Sequence, residues 1–235
     1  MSHKSEKAYT HAFQYIEANL MKFRPASFTL NFEHALRKGL TNVFPNAQIH
    51  GCWFHYCRAI KRRASKIPNF LKGLRGNKNC NKIFNTFFVL PLLKPENMQR
   101  GFEIIQREAN GFTMFNNFME YFQKQWIVND PLQQFSVYGK SVRTTSSLEA
   151  CNGKLGKLLP KNGNFFNFVD QLIDEEHTIT IDFLASVDRQ TWEMFERPKS
   201  KFQLRNQLIE SMTIKFETDK ITLTELLSQL SSICS

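Results

Sequence analysis

The sequence predicts an α/β fold that is mostly helical, with two short strands near its start. Apolar and polar residues alternate at residues 28–32, as they do in short strands, and residues 48–54 are a second strand candidate after the Pro45-Asn46 turn. Around these segments, and through most of the chain after residue 95, apolar residues recur at steps of three and four, as in amphipathic helices. With 42% hydrophobic residues, among them 23 phenylalanines, a chain of 235 residues can bury a core.

The first part of the chain predicts the order helix, strand, helix, strand, helix. Ser5 is the expected cap of the first helix, whose pattern ends before Pro25. Strands linked by helices over so short a distance normally run parallel, so a parallel pair is expected. The three helices are predicted over residues 5–23, 32–43 and 55–67.

The remainder of the chain predicts one long loop and further helices. Residues 69–81 are rich in Gly, Asn and Lys and predict a loop, and the prolines at 91 and 95 interrupt the apolar segment that follows. Helices are then predicted over 96–110, 113–128, from Ser146 onward, over 165–189 and over 222–232.

The positive charge of the chain is concentrated in one window. The formal charge is +10, from 31 bases and 21 acids. Residues 34–95 contain twelve bases and no acid, so this window carries +12, and the 19 bases and 21 acids elsewhere give −2. A solvated lysine-rich face is the simpler interpretation of a short basic run. A window of this length favours a surface that binds a polyanion, and nucleic acid is the leading partner. The predicted DNA-binding residues are Arg58, Lys61, Arg62 and Lys66.

Two further features concern the compartment and the membrane. No apolar stretch reaches the roughly 20 residues that a membrane helix needs, so no membrane partner is expected. The first seven residues have no apolar core typical of a signal peptide, and the five cysteines are odd in number and form no repeated C-x-x-C pair. These features predict a chain that is not secreted and stays in a reducing compartment.

Three sequence motifs occur in a specific order. They are Asn31-Phe32-Glu33-His34-Ala35-Leu36, then Gly51-Cys52-Trp53-Phe54-His55, then Arg143-Thr144-Thr145-Ser146-Ser147-Leu148-Glu149. In this order and spacing the chain, from about residue 3 to about residue 190, resembles the Mutator-like (MULE) transposase domain of the RNase H-like DDE superfamily, in a truncated and diverged form. The resemblance implies an RNase H-like fold, three metal-binding carboxylates, Mg²⁺ as cofactor, and cleavage and joining of DNA strands.

The resemblance also implies that the catalytic set is incomplete. Two Mg²⁺ ions that stabilise an in-line phosphoryl displacement need several carboxylates to balance their charge. The first family Asp has no counterpart, because it belongs to a strand upstream of Met1; the second falls on Asn31, and the third on Glu149. Glu149 alone is therefore expected to hold a metal ion, and only weakly.

Asn31 and Glu149 each have a structural interpretation as well. Asn and Asp are nearly equal as helix N-caps, so Asn31 preserves a cap while it removes the ligand charge. Rescue by Glu33 is disfavoured, since a ligand two positions further along points elsewhere. Ser146-x-x-Glu149 is a capping-box pattern, in which the carboxylate returns to the backbone at Ser146. The resemblance favours Glu149 as the remnant of the third acid.

Cys52 and His55 match the C-x-x-H signature of the family and are expected near its active-site cleft. His50 and Cys57 lie close to them in sequence, which raises the alternative of a zinc site. That alternative is disfavoured, because structural zinc usually takes paired ligands from two separate segments.

The predicted organisation is a partial RNase H-like core with a helical insertion. The predicted segments are a core with the last two strands of the sheet (1–68), an all-α insertion (69–140), a returning core helix with a packing helix (141–190) and a C-terminal helical extension (191–235). The open edge of the strand at 26–32 is expected to promote self-association.

The predicted function is that of a truncated transposase fragment that binds DNA through a basic face and has lost DDE catalysis. Two alternatives stay open. One is an active metal-dependent transposase or nuclease completed by an upstream segment, and the other is a domesticated DNA-binding or interaction protein. The class implies a location in the nucleus, or otherwise in the cytoplasm.

Overall fold

The computed structural model describes residues 4–20, 24–129, 132–140, 142–158, 164–190 and 201–234. The described chain is mostly helical with a small parallel sheet, as the sequence predicts. The helices are α1 (Glu6–Tyr15), α2 (His34–Val43), α3 (Trp53–Ser65), α4 (Phe70–Gly76), α5 (Lys78–Phe87), α6 (Pro95–Ala109), α7 (Asn116–Phe122), α8 (Leu132–Phe135), α9 (Ser146–Leu158), α10 (Phe165–Gln190), α11 (Lys201–Glu217) and α12 (Leu223–Cys234).

The sheet pairs β1 (Ser27–Leu30) with β2 (Gln48–Gly51) in parallel, and Phe28 lies opposite Ile49. Both strands are shorter than predicted. The last bond of the ladder runs from the Cys52 amide to the Leu30 carbonyl at 2.6 Å, and α3 begins at the next residue. Within the described ranges no third strand joins the pair, so self-association through a strand edge stays a prediction.

The helix ends show which local signals were correct. Ser5 caps α1 as predicted, by accepting a bond from the Ala8 amide at 3.3 Å. A π-helical segment, Ile16–Leu20, continues α1, and the end of the predicted helix at 21–23 lies outside the described residues. The predicted last helix is present as α12, where Thr222 and Glu225 form a capping box. Helix α11 lies in the predicted C-terminal helical extension, where no individual helix was predicted before residue 222.

The predicted loop at residues 69–81 is wrong, because α4 and most of the first half of α5 occupy it. Phe70, Leu74 and Cys80 are buried there and pack on the core. Asn77 separates the two helices and caps α5 by accepting bonds from the amides of Asn79 and Cys80. Burial of these apolar side chains against other helices outweighs the low helix propensity of the Gly and Asn residues around them.

Phenylalanine dominates the core beneath α3, α4 and α5. The Phe87 side chain is fully buried, with ring centroids 5.0 Å from Phe118 and 4.8 Å from Phe122. Two hydrogen bonds attach the end of α5 to α3: the Trp53 indole donates to the Phe88 carbonyl and the Tyr56 hydroxyl to the Phe87 carbonyl, each at 2.7 Å. These side chains satisfy carbonyls that the end of a helix leaves without partners.

The chain divides into two compact units. Residues 1–145 and 205–235 form the first, which contains the sheet, the phenylalanine-rich core and most of α11. Residues 146–204 form the second, in which Lys154 on α9 and Glu175 on α10 make an ion pair at 2.6 Å. The predicted four-segment division at 68, 140 and 190 stays a prediction. None of the described helices is both long and apolar enough to cross a membrane.

Candidate nucleic-acid interface

Helix α3 separates its apolar and basic residues onto opposite faces. Trp53, Tyr56, Ile60 and Ala64 are buried in the core. The four predicted DNA-binding residues, Arg58, Lys61, Arg62 and Lys66, are all exposed. Arg58, Arg62 and Lys66 follow at intervals of four residues, the spacing that places side chains on one face of a helix. The structure therefore presents the predicted basic stripe to solvent.

Helices α4 and α5 carry the same charge further along the chain. The exposed cations there are Lys72, Arg75, Lys78 and Lys82. We call these four residues, together with Arg58, Lys61, Arg62 and Lys66, the basic face. In the described part of the chain, none of these eight side chains forms an ion pair with a carboxylate. The positive charge of the basic face is therefore not neutralised from within the protein.

The sequence analysis did not single out the four cations of α4 and α5 as site residues. They belong to the acid-free window, which was the signal that could have identified them. Because residues 69–81 were predicted to form a loop, Lys72, Arg75 and Lys78 were not assigned to a helix face. Their association with α3 depends on the packing of α4 and α5 on the shared core.

A shallow groove of about 500 Å³ lies within the basic face, between the end of α3 and helices α4 and α5. Its cationic lining comes from Lys61 and Arg75, and part of its floor from Phe88. The Lys61 ammonium lies 5.4 Å from the centre of the Phe88 ring, as in a cation–π contact. The groove thus combines an aromatic surface with positive charge, a combination that suits nucleic acid.

Asn31 and Glu33 are both engaged in bonds within the protein. The Asn31 side-chain oxygen accepts from the Glu33 amide at 3.2 Å, which makes an Asx turn, and the N-cap of α2 is Glu33. The prediction that Asn31 is itself the N-cap is therefore wrong by two residues, because the chain turns once more before α2 begins. The Glu33 carboxylate accepts from the Tyr9 hydroxyl at 2.6 Å. Neither oxygen is positioned as an open metal ligand.

Cys52 and its neighbour attach residues 143–145 to the start of α3. The fully buried Cys52 sulfur accepts from the amide and hydroxyl of Thr145, at 3.3 and 3.4 Å. The Trp53 amide donates to the Arg143 carbonyl at 2.9 Å. The structure thus brings two of the three sequence motifs together, and Cys52 serves as a packing and hydrogen-bonding residue.

His55 lies on the first turn of α3, half buried, and its ring contacts Phe54 edge to face. For the zinc alternative, the described residues contain no group of three or more His, Cys, Asp or Glu side chains arranged to hold a metal ion. Burial raises the pKa of the Cys57 thiol to about 12. Because zinc binds the thiolate, this residue is a poor ligand at neutral pH.

Glu149 is exposed on the first turn of α9, in the second unit of the chain. Asn31 belongs to the first unit and its oxygen is occupied. Within the described ranges no group of three or more His, Cys, Asp or Glu side chains is arranged to hold a metal ion, so these residues do not fit the paired Mg²⁺ ions that the resemblance implies. No catalytic step through a metal can be derived from them.

Comparison with protein families, with curated proteins and with solved structures finds no significant match to this chain.

Proposed function

We propose that the chain binds the phosphate backbone of DNA through its basic face, as a diverged fragment of a MULE-type transposase domain without DDE catalysis. The observation that carries the proposal is the set of eight exposed cations on consecutive helices, none of them paired with a carboxylate in the described part of the chain. A surface of this kind releases condensed counterions when it meets a polyanion, which drives binding with little dependence on sequence.

The order of strands and helices along the chain supports the family proposal. Each of the two parallel strands runs into a helix, and the motif residues Asn31 and Cys52 lie at these two junctions. This is the arrangement that the resemblance implies for the end of an RNase H-like sheet. The loss of catalysis follows from the second carboxylate position, where a neutral amide is engaged in a turn. A nuclear location follows from the same class assignment and belongs to the proposal.

The test is the salt dependence of DNA binding by a charge-reversal variant. Replacing Arg58 and Arg62 with Glu should remove two phosphate contacts. Each neutralised phosphate contributes about 0.9 to the slope of log affinity against log salt, so the slope should fall by about 2 in magnitude. The measurement is fluorescence anisotropy with a short duplex across a salt series.

The matched control reverses Arg100 and Arg107, two exposed arginines on α6 outside the basic face. It makes the same change in net charge, so a general electrostatic effect would alter both variants equally. We expect the control to keep a slope within experimental error of the wild type. Equal slopes in the wild type and in the Arg58→Glu, Arg62→Glu variant would refute the proposed interface.

A further inference from the structure

A cleft in the first unit lies away from the basic face. It has a volume of about 320 Å³ and is formed by residues 137–140, by Arg143, by Leu92 and by one side of α11. Val137 and Ile209 contribute apolar walls. The volume is at the lower end of the range for small-molecule sites, which suits a ligand of a few to some twenty heavy atoms.

Arg143 is the unusual residue of this cleft. Only 7% of the residue is exposed, yet no carboxylate forms an ion pair with it among the described residues. One guanidinium nitrogen donates to the side-chain oxygen of Asn206, which is neutral. The Nε atom is buried and has no hydrogen-bond partner in the described part of the chain. A buried guanidinium in this state lacks the counter-charge that such groups normally have.

The backbone around Arg143 is fixed before any ligand arrives. Its carbonyl accepts from the Trp53 amide, and the Thr145 amide two residues later donates to the Cys52 sulfur. These bonds fix the backbone that carries the Arg143 side chain, and the bond to Asn206 orients its guanidinium. A preorganised donor binds more tightly than one that must be ordered by its ligand.

The charges around the guanidinium are mixed. Burial lowers the pKa of Arg143, and the charge of Arg205 lowers it further, whereas Cys234 and Glu210, an acid that also lines the cleft, raise it. Lys140 adds a cation to the lining. At the other end of the cleft Glu217 is already neutralised, since it pairs with Lys94 at 2.5 Å and accepts from the Tyr138 hydroxyl. The Arg143 end of the cleft is thus the end that attracts an anion.

We propose that this cleft binds a small organic oxyanion, a carboxylate or phosphate monoester with an apolar body, whose charged group pairs with Arg143. The planar guanidinium fork matches two oxygens of either group. The apolar body lies against Val137 and Ile209. This site is independent of the DNA-binding proposal and shares no residue with the basic face.

The experiment compares three probes that share one ring: phenyl phosphate, benzoate and uncharged phenol. Affinities are measured by isothermal titration calorimetry on the whole chain. We expect saturable binding of at least one of the two anions, at least tenfold tighter than phenol. Arg143→Gln should weaken anion binding at least tenfold and leave phenol binding unchanged. The anion affinity of Arg143→Lys should lie between those of the wild type and Arg143→Gln. Arg100→Gln, the same substitution at an exposed site, should bind like the wild type.

A second variant keeps the test decisive if Arg143→Gln does not fold. Thr213 lines the cleft, so Thr213→Phe should block it while Arg143 stays in place, and anion binding should be lost. Circular dichroism checks the fold of each variant. The proposal is overturned if neither anion binds at millimolar concentration, if phenol binds as tightly as the anions, or if folded Arg143→Gln or Thr213→Phe retains wild-type affinity.

Two nucleotide probes identify the source of the oxyanion. Thymidine 5′-monophosphate represents a free metabolite, and a 5′-phosphorylated oligonucleotide, compared with its 5′-hydroxyl form, represents a DNA end. Binding of the mononucleotide alone would assign the site to a metabolite. A preference of at least tenfold for the phosphorylated oligonucleotide would assign it to a strand terminus, again with Arg143 as the partner of the phosphate.

Discussion

The basic face and the strand-to-helix junctions use polar residues in opposite ways. On α3, α4 and α5 the cations point to solvent and have no carboxylate partner in the described structure. At the junctions after β1 and β2, Asn31, Glu33 and Cys52 all bond to other parts of the protein. The residues that carry the resemblance therefore lie at bonded junctions, whereas the cations without a carboxylate partner lie on the helices.

This difference shows that the bonds at the two junctions and the exposed charge on the helices have separate physical causes. Asx turns and buried thiol contacts stabilise a junction whether or not a metal is bound there. Eight exposed cations without a carboxylate partner in the described structure contribute little to folding, because solvent-exposed charges add little stability. The stability of the fold therefore does not account for this set of exposed cations.

The first prediction concerns the buried core that supports the helices of the basic face. Phe87→Ala removes a fully buried ring that contacts Phe118 and Phe122, and should cost about 3–5 kcal/mol of unfolding free energy. DNA binding should fall with the fraction of folded protein. Urea unfolding followed by circular dichroism gives the stability. Phe54→Ala is the control, since that side chain is 41% exposed, and a loss as large as that of Phe87→Ala would contradict the packing described.

The second prediction concerns the hydrogen bonds that Cys52 accepts at the junction after β2. Cys52→Ala leaves the Thr145 amide without its acceptor and should cost about 1–3 kcal/mol. Cys52→Ser keeps an acceptor at the same position and should recover part of the loss. Both are measured by urea unfolding. DNA affinity of the folded variants should stay unchanged, and a selective loss of affinity would place Cys52 in the binding site instead.

The third prediction tests the junction after β1 for residual metal chemistry. Asn31→Asp keeps the acceptor for the Glu33 amide, so stability should change by less than about 0.5 kcal/mol. Calorimetric titration with Mg²⁺ or Mn²⁺ should detect no binding, and no DNA nicking should appear. Metal-dependent nicking by either the wild type or Asn31→Asp, abolished by Glu149→Ala, would move the conclusion to the enzyme alternative.

The fourth and smallest effect concerns pH. Burial, and then the charge of Lys140, lower the pKa of His50 in the folded chain. The unfolded chain therefore binds the proton more readily, so stability should fall as pH drops below about 6.5 and through the folded pKa. His50→Gln should flatten this dependence between pH 7.5 and pH 5. Substitution of exposed His11 is the control and should leave the dependence as in the wild type.

Local sequence patterns account for much of the fold. The periodicity of apolar residues identified both strands and most helices, and Ser5 was correctly placed as a cap. The acid-free window located the positive charge before any packing was known. These features depend on side-chain alternation, capping and charge within a few residues along the chain. They can therefore be predicted without knowledge of the tertiary contacts.

The sequence by itself determined the fold class and the location of the charge, while tertiary structure decided what the motif residues do. The contacts of Glu33 with Tyr9 and of Cys52 with Thr145 join residues 24 and 93 positions apart. Likewise, the Gly- and Asn-rich segment at 69–81 became helical because its few apolar residues found a phenylalanine-rich core supplied by distant helices. Burial and hydrogen bonding across such distances depend on which surfaces meet in space, and no local pattern encodes that.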